Sequence, residues 1–252
     1  MKESGHYYAA DGTAVFEVAN KSKGGMRPTT LRDCKALGLY PSVTTIMKSL
    51  AAPELDRWKQ QQVLLASLTL PRIEGETDEV YCARIMEDAF KQVDDAADLG
   101  TQIHKALELH FQGQPYDPEM EAYVAPVKDW VAKNNIKFLQ HELRLVNTEI
   151  GYAGTTDALI EKNGVLHVLD YKSRKTKPKY DIKPWGKEPM QIAAYAKVAG
   201  AERGVNLYIS TTETGRIGEA WYDGATLDAE YDAFTHVVKY WQHANKYTPP
   251  KA

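Results

Sequence analysis

Asp170 and Lys172 place a carboxylate and an ammonium group two residues apart, directly after the apolar run Val165–Leu169. Because alternate residues of a strand point to the same face, both charges are expected to emerge on one side of a sheet. The spacing alone is weak evidence, since it recurs without a preceding buried strand at Asp33-Cys34-Lys35 and Asp181-Ile182-Lys183. The alternative interpretation is a solvent-exposed ion pair at the end of a strand.

A second carboxylate, Asp157, lies on the preceding strand in the run Gly154-Thr-Thr-Asp. A tight turn at Asn163-Gly164 would bring Asp157 beside Asp170. Two carboxylates with a nearby lysine suit Mg²⁺, a hard cation that oxygen atoms and a few waters hold. Gly154 permits close approach of another backbone. Alternatively, Asp157 caps a turn.

Two helices carry further polar candidates. His104 follows Gly100 by about one turn, and a glycine inside a helix costs about 1 kcal/mol relative to alanine unless close packing requires it. The alternative for His104 is a packed core histidine. Gln191 and Tyr195 are four residues apart, share a helix face and can hydrogen-bond phosphate. Their alternative is a surface glutamine beside a half-buried tyrosine.

Positive charge is concentrated in one segment. The chain carries 31 basic and 34 acidic side chains, a net charge of −3, but residues 172–187 carry +6 and the remainder −9. Tyr180 and Trp185 lie among these cations, and the combination suits a nucleic-acid backbone with bases stacked on the rings. A solvated linker is the alternative. The cations are Lys172, Arg174, Lys175, Lys177, Lys179, Lys183 and Lys187.

The elements that position these residues follow from periodicity and turn signals. We predict an α/β fold in which a mixed β-sheet with the order α-β-β-β-α-β is covered by helices, preceded by an N-terminal hairpin and a helical annex. The annex would span residues 1–92 and the core, with its C-terminal helix, residues 93–252. The predicted elements are a hairpin at 6–8 and 15–18 around Asp11-Gly12, helices within 42–70, 78–112, 118–135, 189–198 and from 226, and strands at 137–146, 152–160, 165–172, 205–210 and 219–222.

The composition is that of a globular protein, with 43% hydrophobic and 26% charged residues among 252. No apolar run approaches the roughly 18 residues of a bilayer span. The N-terminal residues lack the features of secretory and transit signals, so we expect a cytoplasmic protein of a bacterial or phage-infected cell. Cys34 and Cys82 cannot supply the four thiolates of an iron–sulfur cluster, and none is expected.

The order of these candidates resembles the PD-(D/E)XK nuclease superfamily. Within it, the RecB-type branch is most similar, in particular the mitochondrial genome-maintenance exonuclease and phage-encoded exonucleases. The likeness spans about residues 93–210, and the segments 40–46 and 55–59 are similar to the region before the nuclease core in those enzymes. It rests on a helix, three strands and a helix that carry in turn His104, Glu142, Gly154-Thr-Thr-Asp157, Asp170-Tyr-Lys172 and Gln191-x-x-x-Tyr195.

The resemblance implies a role for each matched residue. His104, Asp157, Asp170 and the Tyr171 carbonyl would bind Mg²⁺ or Mn²⁺, and Lys172 would handle the attacking water. Glu142 would support these catalytic residues from the first core strand without binding the metal. The sequence departs from the commoner motif because Asp170 replaces a glutamate. The expected DNA-binding residues are Gln191, Tyr195, Arg174, Lys175, Lys177, Lys179 and Trp185.

The function expected from the resemblance is a metal-dependent DNA exonuclease that hydrolyses phosphodiester bonds from free ends, acting on single strands. The alternatives are a structure-specific endonuclease on the same core and a non-catalytic DNA-binding module of a recombination complex. The resemblance leaves open whether a single-strand-annealing or replication protein acts with it.

Overall fold

A computed structural model describes residues 5–20 and 24–250, and within them the side chains of all but residue 54 and residues 92–97. This part of the chain forms nine strands, seven α-helices and a 3₁₀ turn at Pro118–Met120. The strands are β1 (Tyr7–Tyr8), β2 (Glu17–Ala19), β3 (Met26–Pro28), β4 (Tyr40–Pro41), β5 (Lys137–Asn147), β6 (Tyr152–Lys162), β7 (Val165–Arg174), β8 (Arg203–Ser210) and β9 (Ile217–Tyr222). The helices are α1 (Leu31–Leu37), α2 (Val43–Met47), α3 (Pro53–Thr69), α4 (Asp78–Phe111), α5 (Glu121–Lys133), α6 (Glu188–Ala199) and α7 (Gly224–Ala244).

The central element is a five-stranded mixed sheet in the order β5-β6-β7-β8-β9. β7 and β8 are parallel and joined by α6, and the other neighbours are antiparallel. Asn163 and Gly164 both have positive φ, 54° and 78°, as the two-residue turn between β6 and β7 requires. The predicted α/β class and mixed sheet are therefore confirmed.

The predicted N-terminal hairpin forms around Asp11-Gly12, but it is shorter than expected. The Ala9 N–H donates to the Thr13 carbonyl at 2.9 Å, and the Val15 N–H donates to the Tyr7 carbonyl at 2.8 Å. The pairing does not extend along the second arm, because β2 pairs with β3, and β1 also pairs with β4. The rings of Tyr8 and Tyr40 pack with Ala153 of β6, and this burial favours the additional β1–β4 pairing.

Two hydrophobic cores cover the faces of the sheet. On one face, α6, α7 and α2 bury residues such as Ile192, Phe234 and Ile46. On the other, α4 and α5 bury residues such as Leu107 and Val127. The sheet is thus enclosed between helical layers.

The boundary predicted at residue 92 stays a prediction. α4 runs through that position without a break, and Tyr7 and Val43 from the preceding segment belong to the same core as α6. Within residues 5–20 and 24–250, no helix has the length and apolar character needed to cross a bilayer.

The distance between α6 and the sheet is set by Gly204 at the start of β8. A Cβ atom there would overlap Ile192 Cγ2, and Ile192 is fully buried. Because Ile192 is branched at its Cβ and enclosed by the core, it has little freedom to move aside. Gly204 therefore allows the close contact that holds α6, with its polar residues, against β7 and β8.

We predict that Gly204→Ala lowers the free energy of unfolding by about 1–3 kcal/mol, because it overpacks the contact between α6 and β8. Urea denaturation measures the effect. Gly186→Ala is the matched control, since an added Cβ there meets nothing within 4 Å, and it should change stability by less than about 0.5 kcal/mol. Equal stability of the two variants would contradict this description of the contact.

Candidate active site

The candidate site lies where β6 and β7 stop pairing through their backbones. The last paired residues toward this end are Ala158 and Leu169. Beyond them, Thr156 Oγ1 donates to the Leu169 carbonyl at 2.9 Å, and the Tyr171 N–H donates to Asp157 Oδ2 at 2.6 Å. Two side chains thus replace the backbone ladder and hold the strands apart. Continuing the register places Asp157 opposite Asp170.

The same point marks a change in the facing of β6. Tyr152 and Gly154 face α6, since the Tyr152 hydroxyl donates to the Ala194 carbonyl at 3.0 Å and a Cβ on Gly154 would lie 2.5 Å from Tyr195. In a regular strand all even-numbered residues would face the same side, here α6. Ala158 and Ile160 instead pack in the core on the α4 side. The strand therefore exchanges its faces at residues 155–157, and groups from both helical layers reach one site.

Glu142 lies on β5 opposite this point, between the pairs His141–Ala158 and Leu143–Thr156. Its backbone has φ of +47°, a left-handed conformation that is uncommon for a residue with a side chain. Partial removal from water, together with the Asp157 and Glu108 carboxylates, raises the pKa of Glu142 to about 7. A strained residue with a shifted pKa beside Asp157 is typical of functional sites. The supporting role of Glu142 stays a prediction.

His104 reaches the site from α4. Its Nδ1 atom lies 3.0 Å from Asp157 Oδ1. Its ring packs edge-on against the Tyr171 ring, with 5.8 Å between the ring centroids. Burial acts to lower the pKa of His104, but the charges of Asp157 and Asp170 outweigh it and raise the pKa. The histidine therefore lies beside a carboxylate and not in the hydrophobic core. Its role as a metal ligand stays a prediction.

Gly100 explains how α4 comes this close to the sheet. A Cβ atom on Gly100 would lie 2.6 Å from Ser173 Oγ of β7. A larger residue would require either the Ser173 side chain to turn away or the helix to shift from the sheet. The glycine inside the helix is thus accounted for by close packing.

Asp170 and Lys172 point to the α6 side. Lys172 Nζ lies 2.6 Å from Asp170 Oδ2 and donates to Gln191 Oε1 at 2.9 Å. Burial opposes the charge on Lys172, but Asp170 outweighs it, and the pKa of Lys172 is raised. Gln191 Nε2 in turn contacts Asp170 Oδ1 at 3.5 Å and the Tyr195 hydroxyl at 3.2 Å. Gln191 and Tyr195 are both buried. They therefore lie inside the site, and their contact with DNA stays a prediction.

The basic segment forms a loop, residues 175–187, at the edge of the site. Lys175, Lys177 and Lys179 are exposed, and the Trp185 ring is 64% exposed. Arg174 was expected among the DNA-binding residues, but its side chain is only 9% exposed. Its guanidinium is paired with Glu188 and lies between the rings of Trp185 and Tyr208, at 4.3 and 4.2 Å. Arg174 therefore anchors the loop, and the exposed lysines present the charge.

Four residues that sequence reasoning missed connect the site to the loop anchor. Asn206 contacts Asp170, and the Tyr222 hydroxyl donates to Asn206. The Tyr208 hydroxyl lies near the Tyr222 hydroxyl and donates to Glu188 at 3.0 Å. No local pattern marks them, because the parallel pairing of β7 with β8 is what places Asn206 beside Asp170.

Comparison with known proteins does not identify this chain. No protein-family model matches it, and no curated protein matches it. Among solved structures, it is similar to one described as "Crystal structure of SSO0001", with 18% identity and a TM-score of 0.33 over 74% of this chain and 87% of the other. A similarity at this level identifies neither a family nor an activity.

We predict that Glu188→Gln costs about 3 kcal/mol of unfolding free energy, because it leaves the buried Arg174 guanidinium without its counter-charge. The loop should then open, and trypsin should cleave faster at Lys175 and Lys179. Chemical denaturation and timed digestion measure the two effects. Lys128→Ala is the control, since it breaks an ion pair with Glu121 whose side chains are 42% and 50% exposed, and it should cost less than about 1 kcal/mol. Identical behaviour of the two variants would show that Arg174 does not anchor the loop.

Proposed function

We propose that the protein is a metal-dependent DNA exonuclease that hydrolyses phosphodiester bonds from free ends of single strands. The observation that carries the proposal is the convergence of Asp157, Asp170, Lys172 and His104 where β6 and β7 separate. These are the residues through which the chain resembles RecB-type PD-(D/E)XK nucleases. The exposed cationic loop beside them supplies a surface for a polyanionic substrate.

The donor groups at the site suit Mg²⁺ or Mn²⁺. Asp157, Asp170, the Tyr171 carbonyl and His104 would hold the ion. Among the described residues, no three His, Cys, Asp or Glu side chains are grouped as a metal cluster. Mg²⁺ does not need one, because it is often held by one or two carboxylates and keeps several waters. When bound, such an ion lowers the pKa of water and neutralises charge on the phosphate and the leaving oxygen.

The buried carboxylate of Asp170 favours a cation in this position. Burial and the nearby charge of Asp157 raise its pKa, and Lys172 offsets only part of this effect. A divalent cation beside two carboxylates would relieve their repulsion. The proximity of the Asp157 and Asp170 carboxylates is therefore the reason that a divalent cation suits this site.

Lys172 is placed to orient the attacking water and to stabilise negative charge that develops on the phosphate. Its ammonium group is fixed by Asp170 and Gln191, so its remaining N–H bond has a defined direction. A preoriented charge in a partly buried site stabilises a transition state without reorganisation. Tyr195 and Gln191 would hold the substrate phosphate on the α6 side.

The segment before the core gives a physical reason to favour free ends. The Tyr8 hydroxyl contacts Thr155 Oγ1 at 3.0 Å, and Ser42 forms a β-bridge with Ala153. This segment therefore lies along β6 next to the site. Lys187 at the end of the basic loop donates to the Leu50 carbonyl at 2.6 Å. A segment packed in this way would cover part of the approach to the site, and a covered approach favours entry of a strand by its end. An endonuclease on the same core and a non-catalytic DNA-binding module are the alternatives.

We predict that Asp170→Asn lowers the rate of DNA cleavage by about 1,000-fold or more, since several kcal/mol of charge stabilisation would be lost. Release of labelled nucleotides in Mg²⁺ or Mn²⁺ is the measurement, and chelation with EDTA should abolish it. Asp181→Asn is the matched control, because Asp181 belongs to an Asp-x-Lys run in the exposed loop, and it should retain activity. Cleavage by Asp170→Asn at a wild-type rate would show that the catalytic site lies elsewhere.

We predict that linear single-stranded DNA is degraded while a covalently closed circle of the same sequence is spared. Gel electrophoresis after incubation with Mg²⁺ or Mn²⁺ distinguishes the candidates. An endonuclease cuts both forms, and a binding module retards both without cutting either. The Asp170→Asn protein, purified in the same way, controls for contaminating nucleases. Loss of the circle at the rate of the linear strand would refute the exonuclease assignment.

A further inference from the structure

The buried side-chain amide of Asn206 contacts the Asp170 carboxylate from the neighbouring strand. Asn206 is paired with Asp170 across the parallel strands β7 and β8, and it is fully buried. Its Nδ2 atom donates to Asp170 Oδ2 at 3.2 Å and contacts the Asp170 backbone carbonyl at 3.4 Å. The amide therefore contacts the carboxylate from the β8 side, while Lys172 binds the same oxygen at 2.6 Å.

The direction of this amide is set by Tyr222 on β9. The Tyr222 hydroxyl donates to Asn206 Oδ1 at 2.9 Å, and its side chain is buried. An amide has an acceptor at one end and donors at the other, so an oxygen held by Tyr222 leaves the NH₂ group toward Asp170. The opposite orientation would place the amide oxygen against a carboxylate oxygen and leave the Tyr222 hydroxyl without its acceptor.

We propose that Asn206 is a positioning residue for Asp170, and that Tyr222 sets the orientation of its amide. The inference rests on the proposed function and adds to it two residues from outside the matched motif. The contact of Asp170 Oδ1 with Gln191 is long, at 3.5 Å. Asn206 and Lys172 therefore determine the rotation of the carboxylate. Of the two, Asn206 contacts Asp170 from the neighbouring strand β8. Without it, the carboxylate would turn and present its oxygens to a metal ion in a less favourable direction.

A merely structural role is the competing explanation, because any buried hydrogen bond contributes to stability. Tyr152 provides the comparison. Its hydroxyl is also buried, donates to the Ala194 carbonyl at 3.0 Å and lies in the α6 core. Tyr152→Phe therefore removes a hydroxyl of similar burial without affecting the contacts of Asp170.

The experiment compares wild type, Tyr222→Phe, Asn206→Ala and Tyr152→Phe by three measurements. These are Mn²⁺ affinity by electron paramagnetic resonance, kcat and KM on single-stranded DNA, and the thermal midpoint without metal. We expect a 10- to 100-fold loss of Mn²⁺ affinity and of kcat for Asn206→Ala, and about 10-fold for Tyr222→Phe, with KM for DNA nearly unchanged. Tyr152→Phe should lower only the thermal midpoint.

The outcomes separate this inference from the proposed function. If Tyr222→Phe and Asn206→Ala match Tyr152→Phe in kcat and Mn²⁺ affinity, the positioning role is overturned while the nuclease stands. Should Asn206→Ala not fold, Tyr222→Phe decides alone. If wild type binds Mn²⁺ but cuts no DNA, the proposed function is overturned, and the change in affinity still decides the role of Asn206. A wild-type protein that neither binds Mn²⁺ nor cuts DNA overturns both.

Discussion

The candidate site depends on the side chains that replace the backbone ladder between β6 and β7. Thr156 and Asp157 bond to Leu169 and Tyr171, where a regular pair of strands would bond through peptide groups. The replacement separates the strands and lets β6 exchange its faces. One consequence is that α4 and α6, on opposite sides of the sheet, both contribute polar groups at the same point.

The second constraint is the burial of charge. Asp170 is 5% exposed, and a carboxylate at that depth is costly unless cations and donors surround it. Lys172, Gln191 and Asn206 satisfy this requirement, and each is fixed in turn by another polar group. The network thus stabilises the fold and at the same time limits the directions that the reactive groups adopt. Stability and preorganisation have the same physical origin here.

Much of the sheet was predictable, because its signals are local. The Asn163-Gly164 turn and the apolar strand before Asp170 are properties of short segments, and they brought Asp157 opposite Asp170 as expected. The pairing of β1 with β4 was missed because it depends on burying Tyr8 and Tyr40 against β6, which no local pattern reveals. The exchange of faces in β6 also escaped prediction, since the run Gly154-Thr155-Thr156-Asp157 has no large apolar side chain that would indicate which layer it faces. Arg174 was grouped with the exposed cations of the loop, because its partner, Glu188, lies on another element and the local sequence does not show the pairing.

The anchoring of the basic loop has a consequence for the thermodynamics of association. Arg174 and Lys187 hold its two ends, and Arg216 binds the carbonyls of Lys177 and Tyr180 within it, at 2.9 and 2.5 Å. Its backbone is therefore ordered before any polyanion arrives, and only the lysine side chains would lose conformational freedom on contact. The entropic penalty of complex formation is correspondingly small. A change at Arg216 would raise that penalty while leaving every exposed lysine of the loop in place.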